Sequence, residues 1–323
     1  MTRRPFAERS GPARDQADTR SDAARDIHPD IRPDEAPDAR ANAHPYTRSD
    51  AHPDIHPDIR TEIQAELSRI EREEKVRILY ACESGSRAWG FPSQDSDYDV
   101  RFLYVREPDW YLSIFERRDV IERPISDLLD VNGWDLRKAL RLFRKSNPPL
   151  LEWLQSPIVY RELPEAAAQI RDLAGPSFSP KACMFHYLHM ARGNYRDYLQ
   201  GETVRSKKYF YVLRPLLACA WIERYNELPP MTFDTLKGTL LATGELKTAV
   251  EQLLERKKSG IELKEEPRIE VINQYLETQI HYYEQQAPHL PDSGESVDDR
   301  LDPLFVSVLR GAWKEQHPWP SSN

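Results

Sequence analysis

The segment 85–101, GSRAWGFPSQDSDYDVR, gathers residues whose types and spacing can do chemistry. Asp97 and Asp99 stand two apart in DYDVRFLYV, a run that reads as a strand, and residues i and i+2 of a strand project on the same face. Two neighbouring carboxylates repel, and one is driven to protonate unless a cation sits between them. Hard oxygen ligands of this kind suit Mg²⁺ or Mn²⁺. A bare D-x-D is also a common solvated strand face. Upstream, Gly85 and Ser86 end a second strand-like run, VRILYACESG. A strand that turns through Gly-Ser into a short helix offers backbone N–H groups and a hydroxyl to a phosphate, with Gly85 admitting the anion close to the backbone. Gly90, Pro92 and Ser93 then turn the chain back toward the aspartates. A phosphate cradle and a carboxylate pair are thereby expected on adjacent strands of one unit.

The elements around this unit follow from periodicity. Ile63, Leu67 and Ile70 recur at helical spacing in TEIQAELSRIEREEK, with Thr61 as the expected N-cap. Residues 119–131 give a weaker third strand. From Leu136 helical patterns dominate: 136–146, 148–155, 162–174, 180–200, 205–226, 233–257 and 266–287, then a short helix in LDPLFVSVLRGAW. The expected fold class is α+β, a small mixed sheet followed by a helical domain. The expected divisions are a disordered Pro/Asp/His-rich tail over 1–60, a sheet domain over 61–160, a helical domain over 161–287, and a linker with a terminal helix over 288–323. The tail has eight Pro, no Lys, and four of the nine His in an imperfect repeat; it is too poor in apolar residues to offset chain entropy.

Composition narrows the function. A chain of 323 residues has room for about two domains. A formal net charge of −8 excludes a uniformly basic nucleic-acid binder but leaves room for a local basic groove. No apolar run approaches the roughly 20 residues of a membrane span. The N-terminal residues are basic without an apolar core, unlike a secretory signal. Cys82, Cys183 and Cys219 are odd in number and far apart, which argues against a disulfide framework. The expectation is a soluble, cytoplasmic protein with no membrane partner.

Gly85-Ser86, a later glycine and Ser96-Asp97-Tyr98-Asp99 resemble the signature of the polymerase-β nucleotidyltransferase superfamily. Together with GWDLRKALRLFRKSNPPLLEWLQSPIVY and KKYFYVLRPLLACAWIE, they are most similar to a branch of predicted nucleotidyltransferases found beside RNA ligases. The resemblance spans roughly residues 77–230. It implies transfer of a nucleoside monophosphate from an NTP, with Mg²⁺ or Mn²⁺, to an RNA end, and an RNA ligase as a partner. Asp97 and Asp99 would then be catalytic metal ligands, and Gly85 and Ser86 would hold the phosphates. The superfamily pattern also asks for a third carboxylate, for which Asp127, Asp130 and Asp135 compete. Related enzymes place an Asp eight residues before the Lys of an L-R-K helix start, which selects Asp130; Asp135 reads more simply as an N-cap. A triphosphate needs further cations, for which Lys207, Lys208 and Arg214 are the candidates. Arg137, Arg141 and Arg144 share one helix face and form the candidate nucleic-acid stripe. Other readings of the same residues are nucleotidylation of a protein or small molecule, and a non-catalytic, antitoxin-like nucleotide binder.

Overall fold

A computed structural model describes residues 55–93, 96–124, 128–260, 265–292 and 296–314. The chain opens with helix α1 (Pro57–Glu74), followed by strand β1 (Val76–Ser84), the single turn α2 (Gly85–Ala88) and strand β2 (Tyr98–Arg106). Then come α3 (Pro108–Tyr111), β3 (Val120–Glu122), β4 (Leu129–Asp135), α4 (Leu136–Phe143), α5 (Pro148–Leu154) and β5 (Val159–Glu162). Five strands form one sheet in the order β3-β4-β2-β1-β5. Only β2 and β4 are parallel; the other neighbours are antiparallel. The helical part contains α6 (Pro164–Arg171), α7 (Pro180–Tyr198), β6 (Thr203–Arg205), a 3₁₀ turn at Ser206–Tyr209, α8 (Phe210–Tyr225), α9 (Phe233–Leu240) and α10 (Glu245–Lys258). It closes with β7 (Glu265–Pro267), which pairs with β6, then α11 (Glu270–Gln286) and α12 (Asp298–Trp313). The expected α+β class is the observed one.

Each sheet face has its own core. Ile63, Leu67 and Ile70 of α1 pack with Ile78, Ala81, Tyr98, Val100, Phe102, Tyr104 and Val131 on one face. On the other, Leu103 and Val105 join Leu136, Leu140 and Phe143 of α4 and the buried residues of α5 to α12. This second apolar cluster crosses position 160/161 without a break. The alternation of β2 therefore sends Tyr98, Val100 and Phe102 toward α1, and Asp99, Arg101 and Leu103 toward the helices.

Several boundaries differ from those expected. Helix α1 begins at Pro57 rather than after Thr61: His56 is its N-cap, accepting from the Asp58 N–H through Nδ1 at 3.3 Å, and a proline in the first turn favours a helix start. Thr61 lies inside the helix, its hydroxyl donating to the Pro57 carbonyl at 3.0 Å. Ile55 is already buried in the α1-side core, so ordered chain begins inside the expected tail; residues 1–54 lie outside the described residues. The single strand expected over 119–131 is two strands, β3 and β4, paired antiparallel. The helix expected over 233–257 breaks in two across 241–244. The edge strand β5 was not expected at all.

Gly133 of β4 shows how closely the sheet packs. A Cβ there would lie 2.2 Å from the Phe102 ring. Gly133→Ala should therefore destabilise the fold by about 1–3 kcal/mol. Urea denaturation should show the loss, and Phe102→Leu in the same chain should recover part of it.

Candidate active site

The parallel register of β2 on β4 sets Asp99 opposite Asp130. Both carboxylates are about 30% exposed, on the helix-facing side of the sheet. Asp97, one turn of the pleat earlier, is exposed on the same side. Burial pushes the Asp99 carboxyl up to about 6; Arg101 opposes the rise, and Asp130 and Asp97 add to it. The three predicted carboxylates thus act on one another. Asp135, the competing third candidate, is buried at the other end of β4 and caps α4, its Oδ1 accepting from the Arg137 N–H at 2.8 Å and its Oδ2 from the Tyr111 hydroxyl at 2.7 Å. Asp127 lies outside the described residues.

Gly85 sits against this pair in a different way from that expected. Its φ is +67°, and a Cβ on it would lie 2.1 Å from Asp99 Oδ2. The space that glycine opens at this turn is filled by the Asp99 carboxylate. Ser86, half-exposed at the start of the single turn α2, accepts the Phe91 N–H through its carbonyl at 3.0 Å.

Two residues that spacing alone did not single out complete the carboxylate set. Arg101 Nη2 donates to Asp130 Oδ2 at 2.7 Å and to Asp99 Oδ1 at 3.1 Å, and its Nη1 donates to the Asp130 carbonyl at 2.8 Å. Its position two residues after Asp99 was the available signal. Glu83 lies fully buried beneath the site. Its Oε1 accepts the Asp99 N–H at 2.8 Å and its Oε2 the Tyr160 hydroxyl. Burial pushes its carboxyl up to about 7, against the two hydrogen bonds. A charged residue inside the otherwise apolar run VRILYACES was its signal.

Tyr211 feels the charge of the carboxylates, and two lysines lie beside aromatic rings. Tyr211 is exposed, with its ring edge-on to Trp89 at 5.7 Å; partial desolvation, and after it the charges of Asp99 and Asp97, push its phenol up. Lys208 Nζ lies 4.9 Å from the Tyr211 ring and 4.3 Å from the Tyr198 ring. Burial and the neighbouring Lys207 and Arg205 hold its ammonium below the usual lysine range. Lys257, at the end of α10, lies 5.6 Å from the Phe91 ring and is likewise lowered by burial and then by Lys207. Nothing in the sequence linked Lys257 to this place; helix packing brings it there.

Arg214 does not join these cations. Its side chain is 2% exposed, donates to Glu152 Oε1 at 3.0 Å and to the Met231 carbonyl at 3.2 Å, and lies 4.7 Å from the Trp89 ring. A buried guanidinium must be paired, and this one supports Trp89 from inside the core instead of facing a phosphate. The spacing Lys207-Tyr211-Arg214 therefore does not make one face: the 3₁₀ turn ends before α8 begins. Tyr209, Phe210 and Trp221 are core residues.

Two of the three α4 arginines have partners within the fold. Helix α4 starts where β4 ends, five residues of register from Asp130, or about 16 Å at roughly 3.3 Å per residue. Arg137 lies over the Tyr111 and Trp110 rings at 5.0 and 5.7 Å, and Arg144 holds Asp298 with bonds of 2.7 and 2.9 Å. Arg141 is exposed.

Among the described residues no group of three or more His, Cys, Asp or Glu side chains is arranged to hold a metal ion. Two carboxylates do fit a divalent cation. Asp99 and Asp130 both reach one nitrogen of Arg101, so a single positive centre between them is within reach of each.

A family model described as RlaP, the RNA repair pathway DNA polymerase beta family, matches residues 59–307. The chain belongs to this family. It is accordingly a polymerase-β-type nucleotidyltransferase, as the carboxylate pair and the Gly85 turn led one to expect. The family match begins inside α1 and ends within α12, covering both sides of the site. An uncharacterized Bacillus subtilis (strain 168) protein, YcgL, is 55% identical over 250 residues, which cover 77% of this chain and 96% of the relative. Among solved structures, a nucleotidyltransferase-like protein from Exiguobacterium sibiricum 255-15 aligns at 13% identity and a TM-score of 0.27, over 80% of this chain and 91% of that one. Among the described residues, no helix is long and apolar enough to cross a membrane.

Two tests address this geometry. Gly85→Ala forces a side chain into a left-handed conformation, at about 1–2 kcal/mol, and displaces Asp99. Urea denaturation should show that modest loss, while pyrophosphate release from NTP should fall far more than the folded fraction does. For Glu83, the fold prefers the protonated form. Its contribution to stability is complete below the ordinary carboxylate pKa and is lost as pH rises through about 7. Glu83→Gln should flatten the change in urea midpoint between pH 5.5 and 8, and should be at least as stable as the native chain at pH 8.

Proposed function

We propose that this family member moves a nucleoside monophosphate from an NTP to the terminal hydroxyl of an RNA. The observation that carries the reading is the register that pairs Asp99 with Asp130 beside the Gly85-Ser86 turn. Asp97, Asp99 and Asp130 would hold Mg²⁺ or Mn²⁺, which when bound neutralises the carboxylates and stabilises negative charge on the entering and leaving oxygens. Asp130 accepts the proton of the attacking hydroxyl. That oxygen bonds to the α-phosphorus as the bond to the bridging α–β oxygen breaks, and pyrophosphate leaves. The backbone at Gly85 and Ser86, with Lys207 and Lys208, receives the β- and γ-phosphates. Lys257 supplies a third cation from the far side, and Trp89 and Tyr211 offer ring surface to the nucleotide. The RNA acceptor is supported by the repair pathway in the family's description.

Incubation with α-labelled NTP and RNA bearing a free 3′ hydroxyl tests this reading. Label should pass to the RNA with pyrophosphate released. Asp97→Asn and Asp99→Asn should each lower the rate by roughly 100-fold or more, the scale of losing one electrostatic stabiliser of a transition state. Arg141→Glu with Arg144→Glu tests the α4 stripe: transfer to RNA should fall while binding of the free nucleotide is unchanged, and unchanged transfer would leave the stripe a solvated face. Label transferred equally to protein or small hydroxyl compounds, with RNA inert, would replace the acceptor.

A further inference from the structure

Arg101 bridges the paired carboxylates, and the way it is held bears on how they work. It lies on β2 with Asp99, two residues on and therefore on the same face. Its Nη1 is fixed by two backbone carbonyls, Asp130 at 2.8 Å and Val100 at 3.1 Å, one from each parallel strand. Its Nη2 is spent on the carboxylates, Asp130 at 2.7 Å and Asp99 at 3.1 Å. The side chain is 18% exposed, so the guanidinium is not sealed from solvent. The two nitrogens of its planar fork thus have separate roles. One anchors to the sheet, and the other spans two acids that would otherwise repel.

We propose that Arg101 is a positioning residue that keeps Asp99 and Asp130 at the spacing of a shared cation and gives up Nη2's place between them when a divalent cation enters. The exchange replaces a single distributed charge by a doubly charged ion, while the carbonyl anchors keep the guanidinium beside the site. A structural arginine would act differently: it would hold the pair closed, and the carboxylates would never be available. The inference rests on the cation site in the proposed function and not on the identity of the acceptor.

The test measures Mn²⁺ binding to the full-length chain by the electron paramagnetic resonance signal of the free ion, with melting curves alongside. Without metal, Arg101→Met should melt below the native chain, since two half-buried acids lose their counter-charge. The same variant should bind Mn²⁺ about tenfold or more tightly, because no charge-assisted hydrogen bonds must be broken first. Saturating Mn²⁺ should then remove most of the difference in melting temperature. Native-like circular dichroism with Mn²⁺ affinity equal to or weaker than that of the native chain would overturn the proposal. If Arg101→Met does not fold, Arg101→Lys decides. Its shorter ammonium reaches one acid at a time, so Mn²⁺ should bind a few-fold more tightly, and unchanged or weaker binding would again overturn it. Failure of every form to bind Mn²⁺ would overturn both this proposal and the proposed cation site. Tighter binding in the variant, with no transfer to RNA by the native chain, would sustain this proposal and remove only the proposed acceptor.

Discussion

Two carboxylates side by side on parallel strands, partly withdrawn from water, repel one another, and the arrangement around them answers that repulsion. Asp99 and Asp130 are brought together by strand register, not by sequence proximity. Arg101 lies between them, and the Gly85 turn leaves room for the Asp99 side chain. Below the strand, Glu83 takes the Asp99 N–H and is itself satisfied by Tyr160. A third acid in the same small volume raises the local demand for positive charge. Such a site is stable with a proton or a cation in it, which is the condition a metal-dependent phosphoryl-transfer centre starts from.

The same constraint explains the division of labour among the basic residues. Arg214 and Arg144 have carboxylate partners of their own, Glu152 and Asp298, and their charge is used within the fold. Lys207, Lys208 and Lys257 crowd together beside aromatic rings, and the mutual repulsion contributes to the lowered pKa values of Lys208 and Lys257.

Much of the frame was legible in the sequence because it depends on local periodicity. The apolar runs of β1 and β2, the Ile63-Leu67-Ile70 stripe of α1 and the Leu136-Leu140-Phe143 face of α4 appear where the patterns place them. Asp135 caps α4 as its position before LRKAL suggests. The readings that differ are those in which local signals are short or interrupted. Strand β5 has four residues, too few for a clear alternation. The 119–131 run takes in one short strand and the start of another, and the 233–257 run contains Gly244 at the break.

Periodicity tells which side of its own element a residue leaves, and so the sequence by itself determined that Asp97 and Asp99 share a face and that Gly85-Ser86 precedes them at a turn. What each face meets depends on strand order and on how distant helices pack, and neither is written in any one segment. Tertiary structure alone decided that Asp130 faces Asp99, that Arg101 spans the pair and that Glu83 lies beneath it. It also decided that Arg214 turns into the core, that Arg144 pairs with Asp298, and that Lys257 arrives beside Phe91. Charged side chains are the hardest to assign from spacing, because a solvated face, a buried ion pair and a ligand site all accept the same residue. The partners that distinguish them come from elsewhere in the chain.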